Sequence, residues 1–347
     1  MASIYDLVTA KNVATYWKEL NKNEQPYLGA TLFPVQKQLG TDLEWIKGAS
    51  NQPVGIKLSS YDAKSIRRDM EGIEKYQTEM PFFKESIYVD EKLRQQLNNF
   101  IDANKPQIVD TLMTKIFNRL TSLIASTDVT LERMRMEALT TGTITLSSNG
   151  QSYTYDYEVP ETQKITVNKS WDDPDADIIG DINKIKTDMK AKGVKITRAL
   201  CNTTVIQGML KNTAMKNAIY VFAGGTVNLT EENVRSYITA QTGIRFAIYD
   251  NVWVDESKVT HKYVPDHTVV FMPDGTLGNT NIGTTPEESD LINNLNAEVS
   301  IVNEGVAVTT SQMVDPVNVD TKVSMVALPS FEEADKVVIV DTQVTSG

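Results

Sequence analysis

The chain has 347 residues, 41% hydrophobic and 23% charged, ordinary globular proportions that allow two domains and a sizeable core. No run of about 18 apolar residues exists, which excludes a membrane-spanning helix, and a single cysteine, Cys201, excludes an internal disulfide. The net charge of −11 is uneven: from Asp250 onward 16 Asp and Glu face 4 Lys and Arg, a surface that repels phosphate and argues against tight nucleic-acid binding.

The opening MASIYDLVTA lacks the basic-then-apolar pattern of a signal peptide, so the protein is expected to stay in the cytoplasm where it is made. Ser3 with Asp6 reads as a capping box and predicts an amphipathic helix to about Leu20, with Val8, Val13, Tyr16, Trp17 and Leu20 on its apolar face. A helix at a chain end must dock on its own domain or on a neighbour. An irregular, mostly extended stretch follows, through Leu32-Phe33-Pro34 and on to Gly48. From Pro53 to Glu79 charges are dense and apolar residues sparse, a composition that cannot bury a core. Its length predicts either disorder or an extended excursion ordered by other chains. Met80-Pro81-Phe82-Phe83 returns to apolar territory, and Asp90 caps a helix to about Phe100.

The stretch from Asn104 to Thr141 reads as one long helix. Asn104 is its expected N-cap and Pro106 lies in the first turn. Apolar residues recur at three and four from Val109 through Ile124, and Gly142 ends the pattern. Ser126, Thr127 and Asp128 are poor mid-helix residues and mark a site for a kink.

Beyond Gly142 the period becomes two. Ile144 and Leu146, then Tyr153, Tyr155 and Tyr157, flank Asn149-Gly150 as a β-hairpin. Asp173-Pro174 is expected to start a helix to Lys192, followed by a strand Val194–Cys201 and a helix Thr203–Lys211. Thr230-Glu231-Glu232 starts another helix to Thr242, and Gly243 leads into a strand Ile244–Val254. This alternation predicts an α/β layer of roughly 140 residues. The last third is a series of short β runs, among them Val319–Leu328 and Val337–Val340.

No catalytic pattern survives inspection. The acidic cluster Asp172–Asp181 fails the calcium-loop register, because Ile178 stands where Gly is needed and Lys184 where Glu is needed; helix-dipole complementation explains it instead. His261 and His267 are too few for zinc and are expected at the surface. Ala223-Gly224-Gly225-Thr226 lacks the Lys-Ser/Thr of a phosphate loop, and Cys201 reads as a buried small residue. Neither catalytic, cofactor nor metal residues are predicted.

Tyr61-Asp62-Ala63-Lys64, Arg67-Arg68 and Pro81-Phe82-Phe83-Lys84-Glu85 resemble the major capsid proteins of tailed phages of the lambda E type, as does Leu32-Phe33-Pro34 upstream. Glu137–Gly142, Trp171–Ile178, Val264-Pro265-Asp266-His267, Pro273–Gly278, Thr285-Pro286-Glu287-Glu288, Asp315-Pro316 and Leu328-Pro329-Ser330 extend the likeness in order along nearly the whole chain. The resemblance implies an α+β fold of the Hong Kong 97 type: an N-terminal arm (about 1–40), an extended E-loop hairpin (41–85) and a peripheral domain on a spine helix (86–170). An α/β axial domain (171–315) and returning C-terminal strands (316–347) complete it.

The resemblance further implies a non-enzymatic shell subunit, forming pentamers and hexamers of an icosahedral capsid around double-stranded DNA, in a virion assembled in the bacterial cytoplasm. Its partners would be copies of itself, a separate scaffolding protein, a portal and a decoration protein, without a membrane or specific DNA binding. Candidate contact residues are Leu32, Phe33, Pro34, Asp62, Lys64, Arg67, Arg68, Phe82 and Phe83. The alternative is an encapsulin-like compartment, which a cargo-enzyme gene beside it would distinguish from a phage head gene. A metabolic α/β enzyme would need a pocket with convergent polar groups, which the sequence does not offer.

Overall fold

The computed structural model describes residues 7–23, 25–46, 75–148, 150–220, 228–291, 297–314 and 317–344. In chain order, helices α1 (Ala10–Leu20) and α2 (Leu28–Leu32) precede strands β1 (Val35–Lys37), β2 (Asp42–Ile46), β3 (Lys75–Glu79) and β4 (Phe82–Val89). Next come α3 (Glu91–Asp102), α4 (Pro106–Thr141), β5 (Thr143–Ser148), β6 (Gln151–Asp156), β7 (Lys164–Thr166) and α5 (Ile178–Ala191). They are followed by β8 (Arg198–Cys201), α6 (Thr203–Met209), α7 (Thr213–Ile219), α8 (Glu231–Thr242), β9 (Arg245–Ile248), β10 (Val252–Val254) and β11 (Thr260–Lys262). The chain closes with β12 (Thr268–Met272), β13 (Asn279–Ile282), β14 (Ala297–Val302), β15 (Val306–Val314), β16 (Val317–Ser330) and β17 (Val338–Asp341).

Two compact units share these elements: one comprises residues 1–44, 77–134 and 279–330, the other 45–76, 135–278 and 331–347. The first is built around β16, which spans 14 residues. On one side β16 pairs with β15, which in turn pairs with β14. On its other side β4 and β13 lie end to end, β4 along Val319–Val326 and β13 along Ala327–Ser330, and β1 runs parallel to β13. Alternate β16 residues Val319, Val323 and Met325 are buried. Gly283 is closed in beside this sheet: a Cβ there would lie 2.5 Å from the Gly40 carbonyl oxygen and 2.9 Å from a Val326 methyl carbon.

The second unit holds a five-stranded sheet in the order β7-β17-β12-β8-β9, with parallel pairing at its two ends and antiparallel pairing in the middle. α5 turns Ile178, Ile182, Ile185 and Met189 inward, and α8 turns Val234 and Ile238 inward. Together with Phe246, Val269, Phe271, Val338 and Val340 they make one apolar core. β5 and β6 form the expected hairpin, with Gly150 at φ 76°, and β10 and β11 form a separate two-stranded ribbon.

Several element boundaries differ from the sequence reading. Ser3 and Asp6 lie outside the described residues; α1 is capped by Thr9, whose Oγ1 accepts from the Asn12 N–H at 3.2 Å, and Leu20 is exposed. Asn104 does not cap α4. At φ 50° it terminates α3, its N–H returning to the Ile101 carbonyl at 3.0 Å, whereas an N-cap residue is extended. α4 is unbroken through Ser126–Asp128, and its 36 residues make it about 54 Å long. α5 starts at Ile178 under an Asp177 cap, because the Asp173 carboxylate accepts from the Asp175 N–H and so folds 173–176 into a turn. The expected strand 244–254 divides into β9 and β10, because Asp250 turns aside to accept the Thr203 N–H at 2.8 Å. The short helices α2 and α7 are additions. Ala223–Thr226 lies outside the described residues.

Candidate functional site

Among the described residues no cluster of three His, Cys, Asp or Glu could hold a metal ion. Cys201 is buried, and burial first, then the Asp250 charge, pushes its thiol up to about 12. His261 is exposed, 2.8 Å from Asp255 and stacked on Trp253; this hydrogen bond, with the Val259 N–H, holds the Asp255 carboxyl below its ordinary value. His267 is half-buried at φ 61°, and its carbonyl accepts both the N–H and the hydroxyl of Thr342.

Of the candidate contact segments, those among the described residues are anchored within the first unit. Leu32 and Phe33 are buried in the first unit. The Phe33 carbonyl accepts the Thr280 hydroxyl and the Pro34 carbonyl accepts the Thr280 N–H, each at 2.8 Å, which fastens this turn to β13. Phe82 and Phe83 start β4 opposite Val326 and Met325; Phe82 is 44% exposed, with the Lys84 ammonium 5.7 Å from its ring centroid. Since Ile282 pairs with Ala327 and Phe82 with Val326, β13 and β4 meet at adjacent positions of β16, and the Leu32-Phe33-Pro34 turn is tied to that strand through β13. Asp62, Lys64, Arg67 and Arg68 lie outside the described residues. β2 and β3 on either side of that segment pair with each other, so the chain leaves and returns at one place.

The motifs farther along acquire physical roles. In Thr285-Pro286-Glu287-Glu288, the Thr285 hydroxyl accepts the Glu288 N–H. Glu287 is buried, 2.6 Å from the Lys322 ammonium and 2.7 Å from the Ser324 hydroxyl, while Glu288 meets Lys37 at 2.6 Å. Burial opposes the Glu287 charge, but Lys322 and Ser324 outweigh it and hold the carboxyl below its ordinary value. In Val264-Pro265-Asp266-His267, Asp266 takes bonds from Lys262, Thr204 and Asn202, all within 2.8 Å, which holds its carboxyl low. Trp171 is buried and donates its indole N–H to Asp181 at 3.0 Å.

Sequence reasoning missed Lys37, Lys322 and Asn303. The first two are isolated lysines in strands, and only the placement of β1 and β16 on either side of β13, next to the Glu287-Glu288 turn, makes them clamps. Asn303 stands in the β14–β15 turn, where Asn303 and Glu304 are both left-handed, a pattern that Asn-Glu-Gly signals weakly.

An α+β fold of this kind is shared with capsid proteins of phages and prophages. A candidate capsid protein of a prophage of E. coli CFT073 matches 96% of this chain and 99% of its own at 14% identity, with TM-score 0.56. A phage-related protein of Bordetella bronchiseptica RB50 matches 96% and 97% at 9% identity and TM-score 0.55. The capsid asymmetric unit of cyanophage A-1(L) matches 92% and 93% at 12% identity and TM-score 0.51. No curated protein sequence matches significantly. The family described as phage major capsid protein E matches residues 9–342. The chain belongs to that family, and is a major capsid protein of the virion.

Proposed function

We propose that copies of this chain form pentamers and hexamers that close into an icosahedral shell around packaged double-stranded DNA, with no enzymatic role. Assembly takes place in the bacterial cytoplasm, on a separate scaffolding protein and with a portal. The observation that carries the reading is the family match across residues 9–342. The Hong Kong 97-type layout fits it. β2 and β3 would form the stem of the E-loop, α4 the spine, the first unit the peripheral domain and the second the axial domain. In this layout the axial domain would end at Gly278 and resume at Phe331, a division supported by the pairing of β13, β14, β15 and β16 in one sheet of the first unit.

Co-expression with the scaffolding protein, followed by electron microscopy, tests this. Closed shells of uniform size are expected; a monodisperse monomer under all such conditions would sink the reading.

A further inference from the structure

On the solvent side of α4, Lys115, Asn118 and Arg119 are all exposed and fall within about 100° of one another at 3.6 residues per turn. Around them stand Gln107, Thr111, Thr114, Ser122 and Ser126, exposed and uncharged. The hydroxyls of Thr111, Thr114 and Ser126 each donate to the carbonyl four residues back, and that of Ser122 to Arg119, so they leave a low surface. The one carboxylate in this part of the helix, Asp110, points about 140° away from Lys115 and about 180° away from Arg119. Neither cation makes an ion pair among the described residues. In a chain of net charge −11, two cations on one helix face with no ion pair among the described residues are a departure from the average.

The amide of Asn118 is also oriented. The Tyr16 hydroxyl donates to its Oδ1 at 2.8 Å, and the Tyr16 ring packs on Phe117 with centroids 5.3 Å apart. With Oδ1 occupied, the Asn118 N–H groups are left as donors between an ammonium and a guanidinium. Lys115 and Arg119 are about 6 Å apart along the axis, a spacing that suits neighbouring phosphates of one strand.

We infer that Lys115, Asn118 and Arg119 form a weak, sequence-independent phosphate contact for the enclosed DNA duplex, with Tyr16 as its positioning residue. The inference rests on the shell reading above, since one copy contributes only two charges and many copies must act together.

The test is fluorescence anisotropy of a labelled 30-base-pair duplex with the soluble subunit between 25 and 200 mM NaCl, beside an assembly assay. Wild type should bind weakly, with a log–log salt slope of about −2. Lys115→Gln/Arg119→Gln should lower affinity about tenfold or more and flatten the slope, with unchanged thermal melting and unchanged empty shells. Tyr16→Phe should weaken binding less. An unchanged slope in the double variant overturns the contact, and so does a polyglutamate chain that binds as tightly as the duplex. Absence of shells from wild type would instead refute the parent reading.

Discussion

The Asn303 amide nitrogen donates to the Asp128 carboxylate, 3.1 Å from each of its oxygens, while its own Oδ1 accepts the Trp17 indole N–H at 3.1 Å. One side chain in a β-turn thus fixes α1 to the middle of α4, and the residue that looked like a helix flaw is the acceptor. Asp128→Ala should gain up to about 0.7 kcal/mol of helix propensity and lose about 1.5–3 kcal/mol of charge-assisted hydrogen bonding. The bonds win: urea unfolding should show a net loss of about 1–2 kcal/mol. An unchanged midpoint would mean that the bridge contributes nothing.

The Glu287 carboxyl titrates below its ordinary value of 4.5. A depressed folded-state value adds stability above the unfolded pKa, and that stability is lost as pH falls through the folded one. Melting temperature should therefore fall on acidification below about pH 4.5, and Glu287→Gln should remove that part of the dependence while leaving Lys322 without its anion. Identical acid limbs in the two proteins would contradict this.

Gly283 has no room for a methyl group, because the nearest obstacle is the backbone carbonyl of Gly40 rather than a movable side chain. Gly283→Ala should destabilise by about 1–3 kcal/mol through overpacking, read as a lower urea midpoint. Gly150→Ala is the control in open space, with only its left-handed φ to strain it.

Cys201 is the single thiol, and burial keeps it protonated at neutral pH. A thiol reagent at pH 8 should label almost nothing in the native subunit and one equivalent in denaturant. Rapid native labelling would show that β8 is more accessible than its packing indicates.

Ile116 is buried on α4, so Ile116→Ala should cost about 2–5 kcal/mol and reduce soluble yield before any assembly step. Arg67→Ala, in the charged segment between β2 and β3, should leave a soluble subunit that assembles poorly on a sucrose gradient. Failure of both at the same step would remove the proposed division of labour between helix and loop.

Local chemistry was enough for the elements whose ends are set within a few residues. Thr230 caps α8 and Gly243 ends it in the left-handed conformation, as the sequence indicates, and Gly150 stands left-handed in the turn of the expected hairpin. Asp173 misled because Asp173 and Asp177 are equally good caps by type, and the Asp173 carboxylate is taken by the Asp175 N–H, which leaves Asp177 to cap the helix. Capsid-family membership was readable from the order of short motifs, and Leu32-Phe33-Pro34 was readable as an anchor without its target, Thr280.

The sequence alone determined where the long helices α4 and α8 and the β5–β6 hairpin lie, because caps, glycines and apolar spacing act over one or two turns of chain. Only the tertiary structure decided that β16 lies between β15 on one side and β4 and β13 on the other, that Lys322 reaches Glu287, and that Asp128 meets Asn303. These partners are separated by up to more than two hundred residues, and a period of two specifies which face a strand buries but not which strand lies beside it. The long helix therefore announced itself in the sequence, while what it holds in place was settled by packing.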